Sequence, residues 1–95
     1  MDNLEELLQI FTNVKDTEEM RKYFEELFTP SELEDFAKRW YLMKELYKGT
    51  PQRQIAKDLE VSFCKISRGS KILKQENSEF KHVLKDMFDD FHQKQ

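Results

Sequence analysis

The chain is poor in the residues that bend or staple a backbone. It has 95 residues but only one cysteine, two glycines and two prolines. A single thiol, Cys64, excludes an internal disulfide and a cysteine zinc cluster, and it fits a reducing cytoplasm. So few turn formers exclude a strand-rich fold with many hairpins, while abundant Glu, Lys, Leu and Phe favour helix. No apolar run approaches the ~20 residues needed to cross a bilayer. The opening MDNLEELL has no signal-peptide pattern. A cytoplasmic protein without a membrane partner is therefore expected. Repeats, low-complexity segments and long linkers are absent too, and the length implies a single domain over residues 1–95 with a small core.

Material for catalysis is equally scarce. His82 and His92 have no cysteine or paired acids in metal-ligand register. No histidine lies near Cys64 in sequence, and two glycines cannot build a phosphate-cradling loop. Neither an enzyme nor a metal or cofactor site is expected.

What is present is charge, unevenly placed. Residues 1–36 hold 11 acids and 3 bases, a balance of −8; residues 37–74 hold 10 bases and 3 acids, a balance of +7; residues 75–95 hold 5 acids and 3 bases, a balance of −2. The net charge of −3 thus conceals a basic middle. A polyanion responds to the local patch, because screening at physiological salt removes the acidic ends beyond roughly 8–10 Å. The acidic flanks should oppose loose binding that ignores sequence.

Apolar periodicity predicts six helices. The first, about Asp2 to Asn13, places Leu4, Leu7, Leu8 and Phe11 on one face. The second starts near Asp16, where Asp16 and Glu19 resemble a capping box, and runs to about Leu27. The third has the clearest start: Thr29, Pro30 and Glu32 form a cap with proline at the first position and a glutamate reaching back, flanked by a Phe28–Leu33 staple. It runs to Lys48 and stops at Gly49. From Trp40 onward this helix is apolar on several sides, with Tyr41, Leu42, Met43, Leu46 and Tyr47. Such a helix needs cover on more than one face. A second subunit supplies it most simply; a central core helix in a monomer is the other reading. A last helix spans about Ser78 to His92, with Phe80, Val83, Leu84, Met87, Phe88 and Phe91.

The basic stretch holds the remaining two helices, as a helix-turn-helix at about residues 50–75. Thr50 is expected to cap a helix beginning at Pro51, with Ile55, Ala56 and Leu59 on one face. Glu60 and Val61 form the turn. Ser62 is the next expected cap, before Ile66, Gly69, Ile72 and Leu73. In this layout the second helix enters the DNA major groove. Gln52 and Arg53 can reach phosphate or a base edge. Ser62, Phe63, Cys64, Lys65 and Ser67 occupy the part of the second helix that meets bases. Lys65 could address guanine, Ser67 a base or phosphate, and Phe63 or Cys64 a thymine methyl; Phe63 could equally be core. Gly69 is odd in mid-helix, where glycine costs ~1 kcal/mol relative to alanine. Something approaches its backbone closely, either another helix or a flat ligand.

The segments LFTPSELEDFAKRW, ELYKGTPQRQIAKDLEVS and KISRGSKILK together resemble the bacterial tryptophan operon repressor family, over roughly residues 24 to 88. The resemblance implies an all-α fold, a six-helix subunit of an intertwined homodimer, with two recognition helices reading successive major grooves of a palindromic operator in double-stranded DNA. It also implies L-tryptophan as corepressor, wedged beside the recognition helix. By motif, Thr29 matches the threonine that binds the ligand carboxylate, Arg39 and Arg68 the arginines that sandwich the indole, and Gly69 the glycine beneath the ring. Backbone carbonyls near Leu27 and Phe28 would approach the ammonium. Gln52, Arg53, Lys65 and Ser67 match DNA-facing positions. There are departures: Ile72 stands where the family has a serine facing the ligand ammonium, Lys71 replaces an asparagine, Glu60 stands where glycine is usual, and the turn before the motif is one residue shorter. Losing one partner for a buried ammonium costs on the order of 1–3 kcal/mol.

Three functions follow. The first is a dimeric repressor gated by L-tryptophan or a similar ligand. The second is a regulator of the same fold that needs no ligand. The third is a helical protein-interaction module using its aromatic faces, which would tolerate alanine at Lys65 and Arg53.

Overall fold

The computed structural model describes residues 2–89, and every regular element among them is helical. In chain order these are α1 (Asn3–Thr12), α2 (Thr17–Leu27), α3 (Pro30–Lys48), α4 (Gln52–Leu59), α5 (Phe63–Lys74) and α6 (Glu79–Leu84), the last running into a π-helical segment, Lys85–Asp89. The all-α class and the six helices expected from periodicity are present. The chain divides into two compact units, Met1–Asp35 and Phe36–Gln95.

Local chemistry sets most of the boundaries. Asp2 caps α1, its Oδ1 accepting from the backbone N–H groups of Leu4 (3.0 Å) and Glu5 (3.3 Å). Asp16 caps α2 through the N–H of Glu19 at 2.8 Å. At α3 the capping box is reciprocal: Glu32 N–H donates to Thr29 Oγ1 (3.1 Å) and Thr29 N–H donates to Glu32 Oε1 (2.9 Å). Two donors that would otherwise lack a helical partner are satisfied at once. The other end of α3 closes on Gly49, whose φ of 91° is the left-handed conformation that glycine adopts freely. Gly49 N–H reaches Leu46 O and Thr50 N–H reaches Glu45 O, which is the Schellman arrangement.

In the first unit no residue of α1 or α2 is buried. Phe11, Phe24 and Phe28 form a half-buried chain of rings with successive centroids 5.2 Å apart. Leu4, Leu8, Ile10, Tyr23 and Leu27 stay exposed.

The second unit holds the core: Leu42 and Met43 from α3, Ile55 from α4, Ile66 from α5 and Leu84 from α6. Trp40, Leu46, Tyr47, Ile72, Leu73 and Phe88 pack around these five. The hydroxyl of Tyr47 donates to Asp89 Oδ2 at 2.9 Å, tying α3 to the π-helical segment. Burial, then the adjacent carboxylate, raises the Tyr47 hydroxyl above its ordinary pKa of 10.0. On the same helix Tyr41 remains exposed.

Three local expectations need correction. Thr50 does not cap α4: its hydroxyl donates to Glu45 Oε1 at 3.1 Å, and Pro51 stands at the N-cap, its carbonyl accepting from Ile55 N–H at 3.1 Å. The helix therefore starts one residue later, at Gln52. The cause is the Schellman closure, which uses the Thr50 N–H and turns that residue back toward α3. Ser62 holds the N-cap of α5 with extended backbone, but its hydroxyl makes no capping bond. The last helix begins as expected, with Ser78 Oγ accepting from Lys81 N–H at 3.2 Å, but becomes π-helical at Lys85. Phe91 and His92 lie outside the described residues.

Candidate nucleic-acid interface

The pair α4 and α5 is assembled by burying one side of each helix. Ile55 of α4 and Ile66 of α5 are both fully buried, and Ala56, Leu59 and Val61 pack beside them. Between the helices Glu60 takes the left-handed conformation (φ 54°, ψ 39°), reversing the chain within three residues. A non-glycine residue there carries a backbone cost of roughly 1–2 kcal/mol.

On α5 the buried side is Ile66 and Gly69. A Cβ added to Gly69 would lie 2.7 Å from Leu42 Cδ2, 3.1 Å from Leu46 Cδ1 and 3.3 Å from Met43 Sδ. Of the two readings of the mid-helix glycine, helix packing is the one with contacts here: side chains of α3 approach its backbone closely enough that any larger residue would have to displace them.

Burying that side turns the rest of α5 outward. Ser62, Phe63, Cys64, Lys65, Ser67, Arg68 and Lys71 are all exposed, Phe63 by 61%. Phe63 therefore takes no part in the core of the single chain. Phe63, Ser67 and Lys71 recur every four residues and so share one row along the helix. Lys71 was missed as an interface candidate by sequence reasoning, although the spacing was there to be used. The four charged residues of α5, Lys65, Arg68, Lys71 and Lys74, are all basic. Gln52 and Arg53 open α4 and are exposed as well. Among α4's charges, Asp58 is engaged by Gln54, whose Nε2 donates to Asp58 Oδ1 at 2.7 Å. The result is a solvent-facing surface of cations, hydroxyls and one large aromatic ring, suited to phosphates and base edges.

The residues assigned to a ligand by resemblance are Thr29, Arg39, Arg68, Gly69 and Ile72. Arg39 stands one turn before Leu42 on α3 and Arg68 directly precedes Gly69 on α5; both are exposed. Ile72 is half-buried and packs against the core. Thr29 belongs to the first unit, where its Oγ1 accepts from Glu32 N–H in the capping box. Among the described residues no cluster of His, Cys, Asp and Glu could hold a metal ion, and no helix is long and apolar enough to cross a membrane.

Comparison with known proteins is consistent with this surface. The family model for Trp repressor protein matches residues 2–88. A Trp operon repressor homolog of Chlamydia caviae is 31% identical over 83 residues, covering 86% of this chain and 82% of its own length. One from Xylella fastidiosa is 35% identical over 74 residues, covering 77% and 80%. One from Chlamydia trachomatis is 34% identical over 81 residues, covering 80% and 86%. No solved structure gives a significant match. With the matched span including the capped start of α3 and all of α4, α5 and α6, the chain belongs to the Trp repressor family, a family of DNA-binding transcriptional regulators.

Proposed function

We infer that this chain is a sequence-specific DNA-binding repressor that acts as a homodimer on a palindromic operator. The observation that carries the reading is the outward face of α5, where every charge is basic while Ile66 and Gly69 anchor the opposite side. Gln52, Arg53, Lys65, Ser67 and Lys71 supply phosphate and base contacts, with α4 and α5 serving as the helix-turn-helix. The homodimer is supported by exposed apolar side chains: Leu4 and Leu27 in the first unit, and Phe80, Val83 and Met87 in the second. Two protomers would set half-sites about one helical turn apart, ~34–36 Å. Selection of bound duplexes from a random pool tests the reading directly. A two-fold symmetric consensus is expected. With about three phosphate contacts per protomer, log affinity should fall with log salt at a slope near about −5. A flat slope with no enriched sequence refutes it.

Control of that binding has two versions. In the gated version L-tryptophan, beside Arg39, Arg68 and Gly69, positions α5. In the second version α5 is placed by packing alone. Ile72 favours the second, because its side chain packs on the core and offers no acceptor to a ligand ammonium. Calorimetry with L-tryptophan separates them: no heat at millimolar ligand, with operator binding intact, removes the gated version.

A further inference from the structure

Phe63 is the most exposed aromatic ring on the basic surface, 61% accessible at the first position of α5. An apolar ring of this size on a surface otherwise built of cations and hydroxyls has no role in packing the chain itself. The same helix fully buries Ile66 and encloses Gly69, so α5 had a buried side available and Phe63 is not on it. Its row-mates are Ser67 and Lys71, and its sequence neighbours Ser62, Cys64 and Lys65 are exposed too. Duplex DNA offers one apolar feature in its major groove, the C5 methyl of thymine. Guanine, cytosine and adenine edges there present hydrogen-bond donors and acceptors that a phenyl ring cannot satisfy. We propose that Phe63 is a specificity-determining residue that selects thymine in each operator half-site by packing its ring against the pyrimidine C5 methyl.

This assignment rests on the DNA-binding reading above and adds a base identity to it. The helix geometry also orders the contacts. Ser67 lies four residues further on, about 6 Å along the axis, which is near two base-pair steps. Lys71 lies a further ~6 Å along, at the height where a helix leaving the groove meets phosphate. The half-site is therefore expected to carry an invariant thymine, with sequence preference falling off toward the Lys71 end.

The test starts from the operator recovered by selection. Each thymine is replaced in turn by deoxyuridine, which lacks only the C5 methyl, and binding is measured for the full chain and for Phe63→Ala. Burying one methyl is worth a factor of about four in affinity, so replacing one thymine in both half-sites should weaken the wild-type protein about fifteenfold. Phe63→Ala should bind the thymine and deoxyuridine operators equally. Because Phe63 is exposed, the variant keeps its core, and the deoxyuridine scan of the wild-type protein stands without it. A flat scan with operator binding intact overturns the assignment and leaves the DNA-binding reading standing. Failure to bind any duplex overturns both. The same methyl occurs on 5-methylcytosine, so cytosines of the operator are also methylated in turn. A gain there, without a loss from deoxyuridine, would move the contact to a methylated cytosine and overturn the thymine assignment.

Discussion

Replacing Gly69 by alanine puts two well-measured effects in opposition. An unhindered glycine in a helix interior gains about 1 kcal/mol of stability when changed to alanine, because less chain entropy is lost on folding. Here the added methyl would stand 2.7 Å from Leu42 Cδ2, with Leu46 Cδ1 and Met43 Sδ at 3.1 and 3.3 Å. Carbon atoms rest about 3.5–4.0 Å apart, so Leu42 must retreat by nearly an ångström. Leu42 is only 4% exposed, so it must retreat against its packed neighbours rather than into solvent. Forcing a methyl into such a core costs typically 1–3 kcal/mol. The expected net change is a loss of about 0–2 kcal/mol where the helix propensity alone promises a gain. Urea denaturation measures it, with midpoints compared at one protein concentration because the stability of the proposed dimer would depend on concentration. Leu42→Ala supplies the control. It removes Cδ2, and in that background Gly69→Ala should become neutral or stabilising. The cycle should then return a coupling of about 1–3 kcal/mol between the two positions. Stabilisation of the unaltered background by about 1 kcal/mol would refute the close crossing of α3 and α5, and with it the packing explanation of the glycine.

Other expectations concern single residues. Glu60→Gly should stabilise the chain by about 1 kcal/mol, since Glu60 holds a φ of 54° that glycine adopts without penalty; an unchanged or lowered urea midpoint contradicts this. Stability should fall at alkaline pH through Tyr47. Its raised pKa favours the protonated hydroxyl in the folded chain, so this contribution is full below about pH 10 and is lost as pH rises through the raised folded value. Tyr47→Phe should flatten that limb of the pH–stability curve, and equal slopes for both proteins would dismiss the Asp89 contact. Lys71→Ala should weaken all duplexes nearly alike and make the log–log salt slope of the proposed dimer about 2 units shallower, which a titration across salt concentrations reads directly.

Much of this protein was legible wherever a few neighbouring residues act on one another. The Thr29–Glu32 box, the Asp16 cap and the Gly49 stop each need only contacts within five residues, and each is present. The start of α4 was missed because two local solutions compete for Thr50. A cap on α4 and the Schellman closure of α3 draw on the same residue, and the closure prevails along with the Glu45 contact. The π-helical segment after Leu84 was not legible, since its apolar pattern continues that of an α-helix. For the candidate interface, the basic residues and their helices were readable from charge and spacing. Whether Phe63 joins the core of the chain was open until the packing of α5 on α3 and α4 was known.

The order of residues alone determined the helical class, the caps and the concentration of positive charge between residues 37 and 74, because propensity, capping and charge are properties of short segments. Tertiary structure decided what those properties are for. Burial of Ile66 and the approach of Leu42 to Gly69 fix the rotation of α5 about its own axis. That single rotation turns Phe63, Ser67 and Lys71 to solvent and Ile72 toward the core, and no local rule could have chosen it, since it depends on side chains more than twenty residues away in the chain.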